Sequence, residues 1–176
     1  AGQIIDYMNQ QRKTGWKDGK RHKPFNVFLI SKVEEDESFD RHKVIRLPMS
    51  ENIEFMSLES DDFEDCIVIF DDIETHNNEV VKHKAENLRN DLMVTGRHNN
   101  VHTINIGHVV LNNSHTKVTN IERTHMFFFP SNPDQFVNYL LRYKKMSMRA
   151  VEFILKKSAG RWICIVDTQN CAFISP

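Results

Sequence analysis

Short continuous apolar runs alternate along this chain with longer stretches whose apolar residues recur three or four positions apart. The first pattern reads as strands buried on both faces, the second as helices packed by one stripe. The strand runs are Phe25 to Ser31, Lys43 to Leu47 (stopped by Pro48), Cys66 to Phe70, Val101 to Val110 and Thr124 to Phe129 (ended by Pro130). Trp162 to Val166 and Ala172 to Ile174 form a closing pair around Asp167-Thr-Gln-Asn170, a hairpin signal. The helical stretches begin with Gly2 to Gln10, which carries Ile4, Ile5 and Met8 on one face. A short helix capped by Ser50 runs to Leu58, with Ile53 and Phe55 to Met56 expected inward. Asn78 to Thr95 carries Val80, Val81, Leu88, Leu92 and Met93. Asn132-Pro133 opens a helix striped by Phe136, Val137, Leu140 and Leu141, and Met146 to Lys157 forms another. Between these lie a basic loop from Gln11 to Lys23 and an acidic turn from Glu34 to Asp40.

Strands alternating with helices predict an α/β fold, a mostly parallel central sheet flanked by helices, with a C-terminal β-hairpin. No internal repeat and no low-complexity linker interrupts it, so residues 1–176 are expected to form a single domain.

Composition narrows the function classes. With 40% apolar residues in 176, the chain can bury a real core. Its 23 basic and 24 acidic side chains nearly cancel, so nothing draws the whole chain towards nucleic acid or an anionic membrane. No apolar run reaches the roughly 18 residues of a membrane span, and no signal peptide is legible. Cys66, Cys164 and Cys171 include no Cys-x-x-Cys pair, which suits a reducing compartment and offers no zinc–cysteine site.

The chemistry sits where an apolar strand breaks into acids, at Cys66-Ile-Val-Ile-Phe-Asp71-Asp72-Ile-Glu74. In open parallel sheets, acids at a strand end emerge at the carboxyl edge, where ligands bind. Magnesium takes oxygen ligands, commonly one or two carboxylates plus substrate phosphates, and nucleotide hydrolysis needs a carboxylate to orient water. Adjacent acids can divide those roles. The same pair also reads as a solvated strand-capping turn. Glu74 is a second candidate to orient water, although its position fits the start of the next helix. The G-x-x-x-x-G-K-[ST] phosphate loop that accompanies such a strand is absent from all 176 residues.

One helix further on comes Gly96-Arg97-His98-Asn99-Asn100-Val101-His102, then the strand that leads to Gly107-His108. Together with the Asp71-Asp72 strand this resembles the FtsK–HerA superfamily of P-loop ATPases, and within it the poxvirus-type DNA-packaging ATPases of large double-stranded DNA viruses. The similarity covers most of the chain. Phe25 to Lys32 resembles the strand after the P-loop helix, and the Trp162 to Ile174 hairpin resembles the family's carboxyl end. The resemblance implies a RecA-like core and an ATP-driven motor that moves viral double-stranded DNA, with ATP bound between neighbours in a homo-oligomeric ring. It implies Mg²⁺ held by Asp71 through its water shell, Asp72 as catalytic carboxylate in place of the commoner Glu, His108 at the γ-phosphate sensor position usually filled by Gln, and Arg97 as an arginine acting on a neighbour's phosphate. Capsid or portal components become expected partners, and the cytoplasm or virus factory of an infected cell, or the virion, the expected location. The resemblance departs at the P-loop. Ala1 to Gln10 resembles the later turns of its helix, which puts the Gly-Lys-Ser/Thr loop just upstream of Ala1. Without that loop's amides and lysine, tight ATP binding by this chain alone is not expected.

Other features carry less. His98 and His102 have metal-ligand spacing, and His102 and His108 fall at even spacing along one strand, but no cysteine or acid stands nearby in sequence to complete a zinc site. Basic residues gather around Trp16 (Arg12, Lys13, Lys17, Lys20, Arg21, Lys23) and on the last helices (Lys144, Lys145, Arg149, Lys156, Lys157), as solvated faces or as contacts to a DNA backbone. Two alternatives to a motor remain. One is a metal-dependent nuclease or phosphohydrolase using Asp71, Asp72 and nearby histidines. The other is a non-catalytic structural remnant in the virion.

Overall fold

The computed structural model describes residues 2–14, 23–33, 37–40, 42–108, 116–129, 133–157, 162–167 and 172–174. They fall into two compact units, residues 1–108 and 109–176.

In the first unit, helix α1 (Gly2–Thr14) precedes strand β1 (Asn26–Ser31), the short helix α2 (Glu37–Asp40), β2 (Val44–Pro48), the single turn α3 (Ile53–Met56), β3 (Cys66–Asp71), the long helix α4 (Glu79–Thr95) and β4 (His102–Ile106). The four strands form one sheet in the order β2-β1-β3-β4, and every neighbouring pair is parallel. The central strand β3 explains why its sequence is apolar without alternation: Cys66, Ile67, Val68, Ile69 and Phe70 are all fully buried, because helices cover both faces. Successive side chains point to opposite faces. Val68 and Phe70 pack with Phe55, Phe63, Val81, Ala85, Leu88 and Leu92 on the α4 side, whereas Ile67 and Ile69 pack with Ile5, Val27, Leu29 and Phe39 on the α1 side.

Helix α4 starts where Asn78 accepts hydrogen bonds from the backbone amides of Val80 (2.9 Å) and Val81 (3.2 Å), a side-chain N-cap. Its buried stripe is Val81, Ala85, Leu88 and Leu92, with Val80 left exposed. Three boundaries differ from the sequence pattern. Helix α1 continues to Thr14, into the expected loop. The cap of α3 is Asn52, which accepts from the Phe55 amide at 2.9 Å, rather than Ser50, and Ile53 lies outward at 82% exposure. The acidic turn hides Phe39, which α2 turns into the core.

The second unit pairs β5 (His125–Phe128), β6 (Ile163–Val166) and β7 (Ala172–Ile174) in an antiparallel sheet, with α5 (Lys117–Glu122), α6 (Pro133–Arg142) and α7 (Met148–Lys157) as its helices. The closing strands pair as Cys164↔Ile174, Ile165↔Phe173 and Val166↔Ala172, while their connection at 168–171 lies outside the described residues. This half builds its own core because the stripes of α6 and α7 (Phe136, Tyr139, Leu140, Val151, Ile154) bury against Phe128, Ile163 and Ile165. Lys144 is not a free surface cation: it bonds Asp167. Burial alone would depress its ammonium, but that bond and the neighbouring charge carry it above its ordinary value.

Candidate functional site

Because all four strands of the first unit run the same way, their carboxyl ends share one edge: Ser31, Pro48, Asp71 and Ile106 are aligned by register. Asp71 ends β3 on the face of Ile67 and Ile69, the side that carries α1. The hydroxyl of buried Ser31 lies 3.5 Å from Asp71 Oδ2 and accepts from the Val33 amide at 3.1 Å. Helix α1 meets the amino edge of the sheet at three points, the first through Asp6, whose Oδ1 lies 3.5 Å from Nδ1 of His42 just before β2. Its Asn9 side chain accepts from the amide of Phe25 just before β1 (2.9 Å), and its Arg12 grips Asp65 just before β3, with Nη1 to Oδ1 at 2.7 Å. Asp6, Asn9 and Arg12 thus meet the segments that lead into β2, β1 and β3, so this side of α1 lies along the amino edge of the sheet.

The chain turns sharply after Asp71. Asp72 sits in the left-handed region (φ 50°, ψ 32°), which Asp tolerates better than most side chains. Its amide donates to Ile106 O (3.1 Å), and its carbonyl accepts from the Thr75 amide (3.0 Å) and hydroxyl (2.9 Å). This conformation holds the Asp72 carboxylate 32% exposed, with Oδ2 3.0 Å from Nε2 of His108. Strand β4 ends at Ile106, so His108 belongs to the loop after it, 81% exposed and not a buried strand residue. Residues 109–110, expected as the strand's last, lie outside the described residues.

Glu74 follows in a 3₁₀ turn (Ile73–Thr75) and is already engaged. Its Oε1 accepts from Nη1 of Arg89 at 2.8 Å, and the same nitrogen lies 3.4 Å from Oδ1 of Asn105 on β4. Arg89 is wholly buried on α4. A guanidinium removed from water is tolerated only when paired and hydrogen-bonded, so this contact fixes the turn after β3 to the end of β4. Also at this edge are Asp71 and Asp72, both partly buried, and the exposed His108.

Arg97 is elsewhere. It is exposed in a 3₁₀ turn (Gly96–Asn99) that precedes β4, and that turn is tied to Asp65 at the amino edge: the Asp65 amide donates to Asn99 O (2.8 Å), and Asn100 Nδ2 donates to Asp65 Oδ1 (2.7 Å). A strand of five or six residues, roughly 17–20 Å, separates it from Asp72. Within one copy, Arg97 cannot reach that edge.

His102 packs edge-on against Phe25, 5.0 Å between ring centres, and burial beside the Arg12 cation holds its imidazole below its ordinary value. Among the described residues no three His, Cys, Asp or Glu side chains come together as a metal cluster. The Cys66 thiol is buried and pushed up to about 11, first by desolvation and then by Asp65. Trp16, Lys17, Lys20 and Arg21 lie outside the described residues.

Sequence reasoning missed Ser31, Arg89 and Asn105. Ser31 had a signal, as the polar end of a strand flanking the acid-tipped one. Arg89 had one too, four residues after Ala85 and eight after Val81, against the buried stripe of α4. A charge so placed needs a partner.

No family model and no solved structure matches the chain. It is similar to a protein of the Sputnik virophage, described as uncharacterized protein V3, at 27% identity over 142 residues, 79% of this chain and 57% of that protein. The chain thus spans little more than half the length of the curated relative it matches. Among the described residues no helix is long and apolar enough to cross a membrane.

Proposed function

We propose that this chain is the Walker B portion of a P-loop ATPase core, from a motor of the poxvirus-type packaging kind that drives double-stranded DNA into a viral capsid. The observation that carries the reading is the position of Asp71 and Asp72: consecutive carboxylates at the carboxyl end of the central strand of an all-parallel sheet, one turned towards the α1 face and the other held outward by a left-handed turn. Similarity to a virophage protein fits a viral source.

The donor set suits Mg²⁺, a hard cation that takes carboxylate and hydroxyl oxygens: Asp71 and Ser31 would hold it. Bound there, the ion would neutralise charge on the nucleotide's β- and γ-phosphates. Asp72 accepts a proton from the attacking water and orients it. His108, whose Nε2 lies 3.0 Å from Asp72 Oδ2, would orient that carboxylate from the γ-phosphate sensor position. Arg97 at the opposite edge can serve only a neighbour's site, so hydrolysis in this scheme belongs to an interface between copies in a ring. The two-metal nuclease reading has no described cluster on its side. The test is ATP turnover by the full-length protein against its Asp72→Asn variant, which should keep nucleotide binding and lose hydrolysis.

A further inference from the structure

The two compact units carry opposite charge. Residues 1–108 hold 14 Lys and Arg against 20 Asp and Glu, net −6, while residues 109–176 hold 9 against 4, net +5. The near-zero total hides this asymmetry, and in each unit the charge is concentrated beside an exposed apolar feature. From Glu51 to Asp65 there are seven acids and no Lys or Arg. Within this stretch Ile53, between Glu51 and Glu54, is the most exposed large apolar side chain among the described residues, at 82%. From Arg142 to Lys157 there are six bases and one acid. Here Met146, Ala150, Ile154 and Phe173 floor a shallow groove of about 500 Å³ beside α7 and β7, and Arg149 and Phe153 flank it. Phe153 is 62% exposed, with the Lys157 ammonium 5.9 Å from its ring centre.

We infer that this groove receives the acid-flanked Ile53 turn of a second copy of the chain. A branched aliphatic side chain fills an apolar floor that a phosphate backbone would leave unmatched, and Glu51 and Glu54 meet Arg149 and Lys157 at the rim, so both parts of the groove are satisfied by one ligand. Knob and groove are made by different residues, one in each unit. The contact is therefore heterologous and repeats head to tail, closing into a ring if the rotation allows and a filament if not. The knob adjoins the carboxyl edge, since α3 follows the end of β2 and Glu51 accepts a hydrogen bond from Asn78 at the start of α4. The second copy's basic rim is thus brought against the edge that carries Asp71 and Asp72. The contact stands independently of the ATPase reading. One such contact is small, so association should be weak and screened by salt.

Sedimentation velocity on the 176-residue chain tests this. At about 50 mM salt the mass should rise with concentration, and at about 500 mM it should fall back to the monomer. Ile53→Asp should leave a folded monomer with unchanged circular dichroism, since the side chain is exposed. Glu54→Lys and Arg149→Glu should each weaken association at least several-fold, and an equimolar mixture of the two variants should recover a mixed complex. The proposal is overturned by a wild type that stays monomeric, by association indifferent to Ile53→Asp, or by charge-reversed copies that do not recognise each other. It is equally overturned if wild type stays monomeric yet binds duplex DNA through Arg149.

Discussion

Arg89, wholly buried on α4, donates from Nη1 to Oε1 of Glu74 at 2.8 Å, joining the turn after β3 to the helix that covers the sheet. Breaking a buried pair from one side leaves an uncompensated charge and costs about 3–5 kcal/mol, whereas replacing both partners by apolar groups can be nearly neutral. Glu74→Ala should therefore lower the urea midpoint more than Arg89→Met/Glu74→Leu. Equal or greater loss in the double variant would show that the pair itself, and not the stranded guanidinium, carries the stability.

Asp72 owes its position to a left-handed backbone, which costs most L-residues about 1–2 kcal/mol. Asp72→Val should be destabilised by about that much in urea melts, Asp72→Gly should match the wild type, and Asp72→Asn should fold normally because Asn tolerates this region. Wild-type stability in the valine variant would mean that the turn relaxes without cost.

The Cys66 thiol, raised to about 11 by burial, is almost entirely protonated near neutral pH. Iodoacetamide at about pH 8 should label it only after denaturation, as mass spectrometry of the digested protein would show. Labelling in the native protein would contradict the fully buried central strand.

His102 has a folded-state value below its unfolded one, because burial and the Arg12 cation oppose its charge. The unfolded chain then binds more protons at mildly acidic pH. The resulting stability is complete above the ordinary histidine value of about 6.5 and declines as pH falls below it. His102→Phe, which keeps a ring against Phe25, should flatten the fall in Tm below that pH. An unchanged slope would place the acid sensitivity in other groups.

Arg97 provides a test of action between copies. In a full-length protein that hydrolyses ATP, Arg97→Ala subunits mixed with wild type should depress activity below the wild-type fraction, because each variant withholds its guanidinium from a neighbour's site. Activity that scales with the wild-type fraction would remove Arg97 from catalysis.

How legible this protein is from its sequence varies by element. Strand β3 and helix α4 are plain, since burial on both faces makes a continuous apolar run and burial on one makes a stripe. Asp71 and Asp72 are plain for the same reason, as the first polar groups past the buried run. The spacing of Arg97 and His108 misleads: eleven positions apart in the chain, they flank a strand that carries them to opposite edges of the sheet. The Arg89–Glu74 pair spans fifteen residues and depends on packing that no local pattern encodes. Ile53 reads as inward by its type, but a one-turn helix with Phe55 buried has no room to bury both. The second core is hidden because strands and helices alternate across both units alike.

ATP hydrolysis by the full-length protein with Mg²⁺, compared between wild type and Asp72→Asn with nucleotide binding measured in parallel, addresses the central claim most directly. Removing a carboxylate that orients water should lower kcat about 10²-fold or more while Kd for the nucleotide changes little. Turnover at the wild-type rate in Asp72→Asn, or no nucleotide binding by the full-length wild type, would contradict the assignment of this strand end as the catalytic edge of an ATPase.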